Sequence, residues 1–511
     1  MAVPAGGPSI DGAPVELVET HISWVFLTPD RAYKVKKPVV FPFLDYRDPG
    51  HRRELCEEEV RLNRRLAPEL YLGVRGLVAQ AGGWELTGPD DPRATEWAVE
   101  MKRFDERDTL AARVEAGTAS AGEVAAVGAL IADFHRRAHA RAAPDQLARL
   151  TAAVEENFDT LAGTETTPAE EIAAGRRFGR AFLAAGAGLV ERRAREGRVR
   201  DCHGDLRPEH VIVGERIEIF DTVEFDPALR EIDVGADLAF MVMELGHAGR
   251  DDLGAELVRA YREAGEDPGD DRLVSFFASY RAWVRAKVAA LRAGELEPGA
   301  DRDRVLDQAA AFAGIARRFA WRARGAELLV VCGPSASGKT HLSRRLAAIS
   351  GWPHLASDAV RKRLLGLEPE TRAPAEAYSA AMNERTYAEL GRLARTELHL
   401  GSGVIVDATF RFRRDRETFA RAVADAARAP LFLECRVPEE ELARRVAARE
   451  QETGRISDAD AAQVARQQRE FEPFDETDRA HVVLRTDRPV EEVVDRVEAI
   501  LDDRLGASVV G

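Results

Sequence analysis

Two short stretches of this chain hold the residue types that phosphoryl transfer needs. The first runs His203-Gly204-Asp205-Leu206-Arg207-Pro208-Glu209-His210-Val211 and is followed by "IEIFDTVEFD", where a hydrophobic run ends at Asp221. Moving a phosphoryl group onto a hydroxyl takes one carboxylate beside the acceptor and another on the metal that bridges the phosphates. Asp205 on a loop and Asp221 after a short apolar strand supply such a pair. The second stretch is Gly333-Pro334-Ser335-Ala336-Ser337-Gly338-Lys339-Thr340, which satisfies G-x-x-x-x-G-K-[ST]. Its glycines let the backbone curl so that N–H groups surround phosphates, and the helix that follows adds a favourable field. Lys339 is placed to neutralise β/γ oxygens, and Thr340 to offer its hydroxyl to Mg²⁺.

Elements must position these groups. "ISWVFLT" and "AYKVKKPVV" flank the turn Pro29-Asp30-Arg31 and predict a β-hairpin over residues 22–40. A charged, amphipathic helix follows and stops at Pro68, and then come two more strand-like runs around a Gly-Gly turn and "TEWAVEMKRF". A phosphate-anchoring lysine belongs on the strand after the turn, paired with a glutamate on the next helix. Lys34 and Lys36 share one strand face, and both fit. From Leu110 to about Gly197, and again from Val234 to Arg324, the pattern is helical. A strand-rich start before a helical lobe predicts an α+β bilobal domain over residues 1–325. At Ala326 the signal changes: "AELLVVCG" reads as a buried parallel strand, and strands then alternate with helices to the end. This predicts an α/β three-layer P-loop domain with a parallel sheet over residues 326–511, joined through a helix end at 316–325.

Composition narrows the partners. The 511 residues carry a net charge of −15, and residues 326–511 hold 28 Lys+Arg against 32 Asp+Glu. Neither part has the basic excess that binding a phosphate backbone requires, so nucleic acid is disfavoured. No run reaches the roughly 20 apolar residues of a membrane span, and the first thirty residues lack a basic and apolar leader. A cytoplasmic location is expected, with Cys56, Cys202, Cys332 and Cys435 as scattered free thiols.

"HGDLRPEHV" with its downstream aspartate resembles the aminoglycoside/choline phosphotransferases, distant relatives of protein kinases, whose catalytic loop reads HGDLxxxN. The resemblance covers roughly residues 20–320. It implies that Asp205 orients and deprotonates the acceptor hydroxyl and that Asp221 holds Mg²⁺. His210 stands where the family has its metal-side Asn, a softer ligand for Mg²⁺ than an amide oxygen. "EVRLNRRL" resembles the family's Glu-plus-leucines pattern and selects Glu59 over Glu57 and Glu58. Residues 326–511 resemble P-loop kinases of the zeta-toxin, polynucleotide-kinase and gluconate-kinase type. That resemblance implies Asp358 as acceptor base, Arg361 as substrate anchor and Asp407 as an aid to the metal. It also implies a lid carrying Arg445 and Arg449, with Arg444 and Arg455 as alternatives. The expectation is two ATP·Mg²⁺ sites acting on hydroxyls of small molecules. A P-loop domain that only senses nucleotide, and a nucleic-acid 5′-end kinase, are the alternatives.

Overall fold

The structure is a computed structural model that describes residues 9–505 apart from 12, 42–43, 81–82, 165, 369–370, 372, 427–428, 451–468 and 475–479. Its contacts divide the chain into two compact units. Met1–Ala153, Ala187–Arg292 and Pro298–Ile315 form the first, and Val154–Gly186, Ala293–Glu297 and Ala316–Gly511 the second.

The first unit begins with the predicted hairpin, Ser23–Leu27 against Arg31–Lys36, antiparallel. It lies inside a wider sheet ordered Ala13–Pro14, Ser9–Ile10, Gly83–Thr87, Tyr71–Gln80, Glu96–Lys102, Arg31–Lys36, Ser23–Leu27, Glu16–Glu19. Alternation along Arg31–Lys36 divides its side chains between two cores. Tyr33 and Val35 pack with Phe26, Leu77 and Trp84 on one face. Ala32 packs with Cys56 and Val60 on the other, the face shared by Lys34 and Lys36. Cys56 and Val60 belong to the helix Pro49–Asn63, which starts with Asp48 accepting a hydrogen bond from the His51 N–H at 2.8 Å and with proline in its first turn. Packing on the sheet brings Glu59 into the same buried layer as the lysines. The antiparallel pairs Val199–Asp201 with Glu231–Asp233, and Val211–Val213 with Ile217–Ile219, frame the loop 202–210. The helix Val234–His247 then begins under that loop.

In the second unit, five parallel strands run His354–Ala356, Val404–Asp407, Leu328–Cys332, Leu431–Arg436, His481–Arg485 across the sheet. The central strand Leu328–Cys332 is buried at every position, as a parallel strand covered on both faces must be. Leu346, Trp352, Val494 and Val497 cover one face, and Leu390, Phe410 and Phe419 the other. The first of these cores also contains Trp321, from the helix Ala300–Arg324. The Trp321 indole and Arg317 both donate to Glu498 Oε1, at 2.6 and 2.7 Å. Asp502 takes Arg324 at 2.8 Å and Arg177 at 3.0 Å. The sequence pattern changes at Ala326, whereas the compact unit begins at Ala316 and also takes in residues 154–186. Among the described residues no helix is long and apolar enough to cross a membrane.

Candidate active sites

In the first unit the loop 202–210 is held from below. Asp237 accepts the His203 and Gly204 N–H groups at 3.0 and 2.8 Å, and His135 Nε2 at 3.0 Å, while Tyr261 bonds His135 Nδ1 at 2.9 Å. His203 Nε2 lies 2.9 Å from the Phe220 carbonyl, and burial lowers its pKa to about 4. Gly204 sits at φ +88°, where a Cβ would come 3.0 Å from the Leu229 carbonyl oxygen, so only glycine makes this turn without strain.

The loop thereby points Asp205 at the cleft. Burial works against its ionised form, but nearby positive charge, that of Arg207 foremost, outweighs it and holds the carboxyl below the ordinary range. The Arg207 guanidinium lies 3.1 Å from Asp205 Oδ1 and 3.3 Å from His210 Nε2. His210 Nδ1 faces the Asp205 carbonyl at 2.9 Å, an oxygen that only accepts, so the proton belongs on Nδ1. The Nε2 lone pair then accepts from Arg207 Nη2 at 3.3 Å, and Nε2 lies 3.6 Å from Asp221 Oδ2. A nitrogen and a carboxylate oxygen converging at this spacing suit a shared cation. Asp221 itself is held at φ +65°, a costly conformation for a residue with a side chain. Its N–H lies 3.4 Å from the Tyr71 hydroxyl, and the next N–H bonds Asn63 Oδ1 at 2.9 Å.

Both candidate lysines meet Glu59, and they differ in depth. Lys34 Nζ is 2.9 Å from Glu59 Oε1 and 2.6 Å from Asp221 Oδ1, with 15% of its side chain exposed. Lys36 Nζ is 2.7 Å from Glu59 Oε2 and also bonds Glu224, with 1% exposed. Burial disfavours the charge on Lys34, yet Asp221 and Glu59 outweigh it and raise the ammonium pKa well above its ordinary value. For Glu59 and Asp221 burial is again the largest influence, and positive charge overcomes it and keeps both carboxyls low, from Lys34 and Lys36 at Glu59 and foremost from Lys34 at Asp221. Glu57 and Glu58 take no part in this cluster: Glu57 pairs with Arg53 and Glu58 with Arg61 on the exposed helix face.

In the second unit the strand Leu328–Cys332 runs through residues 333–338 into the helix Lys339–Ser350. Gly333 (φ +128°) and Gly338 (φ +93°) make the bend, and a Cβ on Gly333 would meet the Cys435 carbonyl oxygen at 2.6 Å. Lys339 Nζ donates to the Pro334 carbonyl at 2.8 Å, curled over the loop. Thr340 Oγ1 donates to Asp407 Oδ2 at 2.6 Å, so the hydroxyl and the carboxylate at the end of Val404–Asp407 form one group. Arg361 Nη1 donates to Asp358 at 3.1 Å, and Nη2 to Asn383 at 3.0 Å. The guanidinium lies 4.7 Å from the Tyr378 ring centre and is nearly buried. Asp358 is inside the helix Ser357–Leu364, and the N-cap is Ala356.

Arg445 lies against the P-loop, 3.3 Å from where a Cβ on Gly338 would be, and is held by Glu441 at 2.6 Å and the Thr486 carbonyl at 2.8 Å. With Ala336, His341, Leu342 and Val493 it lines a cavity of about 420 Å³ beside the loop. Arg444 is largely exposed and pairs with the same Glu441. The Arg449 side chain and all of Arg455 lie outside the described residues. Arg207, Asp237, Asn383 and Tyr378 were not singled out from sequence. Arg207 was within reach, being the one cation inside the loop motif.

Residues 328–474 match the family model described as an AAA domain, and with the bend at Gly333–Thr340 they form a P-loop nucleotide-binding domain. Over 465 residues the chain is 31% identical to an uncharacterised protein of Mycobacterium tuberculosis, covering 89% of each chain, and a Mycobacterium bovis protein matches to the same extent. Among solved structures, a sugar kinase from a Janibacter species is 19% identical, covering 36% of this chain and 98% of that one, with a TM-score of 0.28. A gluconokinase from Sinorhizobium meliloti is 20% identical over 36% and 95%, with a TM-score of 0.27.

Proposed function

We infer, for a chain that belongs to the same family as these uncharacterised proteins of Mycobacterium tuberculosis and Mycobacterium bovis, an ATP-dependent phosphotransferase with two nucleotide sites. One site lies in a protein-kinase-like domain, approximately residues 1–325, and the other in a P-loop kinase domain, approximately 326–511. Each transfers the γ-phosphate to a hydroxyl of a small molecule. The observation that carries this reading is that each compact unit gathers its own set of phosphate- and metal-handling groups: Lys34, Glu59, Asp205, His210 and Asp221 in one, and Gly333–Thr340 with Asp407 in the other.

In the first cleft Lys34 faces the phosphates, Asp221 and His210 Nε2 are the metal-side groups, and Asp205 accepts the acceptor proton. Arg207, between Asp205 and His210, offsets negative charge as the phosphoryl group moves. In the second, Lys339 and the loop N–H groups hold the phosphates, while Thr340 and Asp407 take the metal side. Asp358 is the acceptor base, oriented by Arg361, and Arg445 with Arg449 closes the nucleotide side. Mg²⁺, when bound, neutralises charge between the phosphates. A nucleotide sensor would have no use for Arg361, a buried cation aimed at Asp358 and braced by Asn383 and Tyr378, and this favours catalysis at the second site.

The test is transfer from γ-labelled ATP by the full chain to a panel of sugars, sugar acids, nucleosides and aminoglycosides. The expected result is labelled product, with Asp205→Asn lowering transfer to one acceptor by about 10²-fold and Asp358→Ala removing transfer to another. Label released only as inorganic phosphate across the panel would contradict the reading.

A further inference from the structure

The first cleft buries more charge than holding phosphates requires. Glu59 gives one oxygen to each lysine, Oε1 to Lys34 at 2.9 Å and Oε2 to Lys36 at 2.7 Å. Lys36 is tied in turn to Glu224 Oε1, and the same oxygen receives the Tyr46 hydroxyl at 3.2 Å. Lys36 lies over the Tyr46 ring as well, 5.5 Å from its centre. Glu59 and Tyr46 are wholly buried, and Lys36 and Glu224 nearly so. A lysine this deep cannot reach a nucleotide from where it stands, whereas Lys34 reaches Asp221 at 2.6 Å and keeps part of its side chain in the cleft.

A buried ion pair adds little net stability over an apolar pair, because desolvation of both charges offsets their attraction. It does fix geometry. Without Lys36, the Glu59 carboxylate is free to turn both oxygens to Lys34 and draw it back from the phosphates. We propose that Lys36, Glu224 and Tyr46 form a positioning device that holds the second oxygen of Glu59, so that only one oxygen is presented to Lys34 and Lys34 stays directed at the phosphates. The proposal rests on the reading of this cleft as an ATP site. It gives Glu224, three residues beyond Asp221, a task away from metal and acceptor.

The experiment uses the full chain carrying Lys339→Ala, so that ATP·Mg²⁺ binding measured by calorimetry reports the first cleft, with a thermal melt alongside. Lys36→Met alone strands Glu224 as a buried, unpaired charge and is expected to melt early. The deciding variant is therefore Lys36→Met with Glu224→Gln, which removes both charges and nearly keeps the volume. It is expected to melt close to the parent yet bind ATP at least about tenfold more weakly, the size of effect typical for groups that orient a ligand-binding side chain. Unchanged affinity would make the device purely structural and overturn the proposal. Should the double variant fail to fold, Tyr46→Phe decides, since it removes one hydroxyl and no charge. Weakening of about threefold, the worth of one hydrogen bond, supports the device, and no change overturns it. If the Lys339→Ala parent binds no ATP, or binds it equally well with Lys34→Met added, the ATP reading of the cleft falls, and the proposal with it.

Discussion

His210 keeps Nε2 unprotonated, between Arg207 Nη2 at 3.3 Å and Asp221 Oδ2 at 3.6 Å, because Nδ1 is committed to the Asp205 carbonyl at 2.9 Å. If Nε2 is a metal-side ligand, His210→Ala should raise the Mg²⁺ concentration needed for half-maximal ATP turnover by about tenfold, and His210→Asn should be tolerated. An unchanged Mg²⁺ titration in the alanine variant would make His210 a packing residue. Groups whose chemistry is packed into a few consecutive residues, such as Asp205 with His210 or Gly333–Thr340, could be read from sequence, because the loop itself places them. Asp237 could not. It sits inside an apolar helix segment, "GADLAFMV", and its task is visible only once residues 203, 204 and 135 converge on it. Asn383 likewise meets Arg361 from 22 positions away. Spacing left Lys34 and Lys36 equal, and only depth separates them: a strand face says which side a residue takes, not how far from the cleft mouth it lies.

At the scale of elements, the loop 202–210 and the helix Val234–His247 act as one piece, joined through Asp237 and lined by His203. Burial lowers the His203 pKa to about 4, against about 6.5 for an unfolded histidine. The unfolded chain therefore binds this proton first as pH falls. The contribution is complete above pH 6.5 and is lost as pH drops toward 4, amounting to about 3 kcal/mol. Urea unfolding of the first unit should show its midpoint falling across that window, and His203→Gln should flatten the decline. An equal slope in the variant would mean other groups carry the acid sensitivity. The hairpin, the helix Pro49–Asn63 and the strands Leu328–Cys332, Val404–Asp407 and Leu431–Arg436 follow from period, apolar runs and turn residues. The outer strands Ser9–Ile10 and Ala13–Pro14 do not, because two-residue strands have no period to read and exist only by pairing with each other and with Gly83–Thr87.

At the scale of the whole molecule, the change of pattern at Ala326 marks where the strand–helix alternation begins, and the second unit's packing begins earlier. Glu498 and Asp502, both nearly buried, rely on Arg317, Trp321, Arg324 and Arg177, all of them before Ala326. A protein of residues 326–511 alone would lose Trp321 from its core and every one of these partners of Glu498 and Asp502. It should show no cooperative thermal transition by circular dichroism, and a sharp, reversible melt would refute this dependence. This long-range pairing was not legible because 316–325 reads as an ordinary helix end and residues 154–186 as amphipathic surface. Whether one chain holds two nucleotide sites is decided by calorimetric titration of the intact protein with ATP·Mg²⁺. Two ATP should bind per chain, falling to one in Lys339→Ala and staying at two in Asp358→Ala. A wild-type stoichiometry of one would contradict the two-site reading.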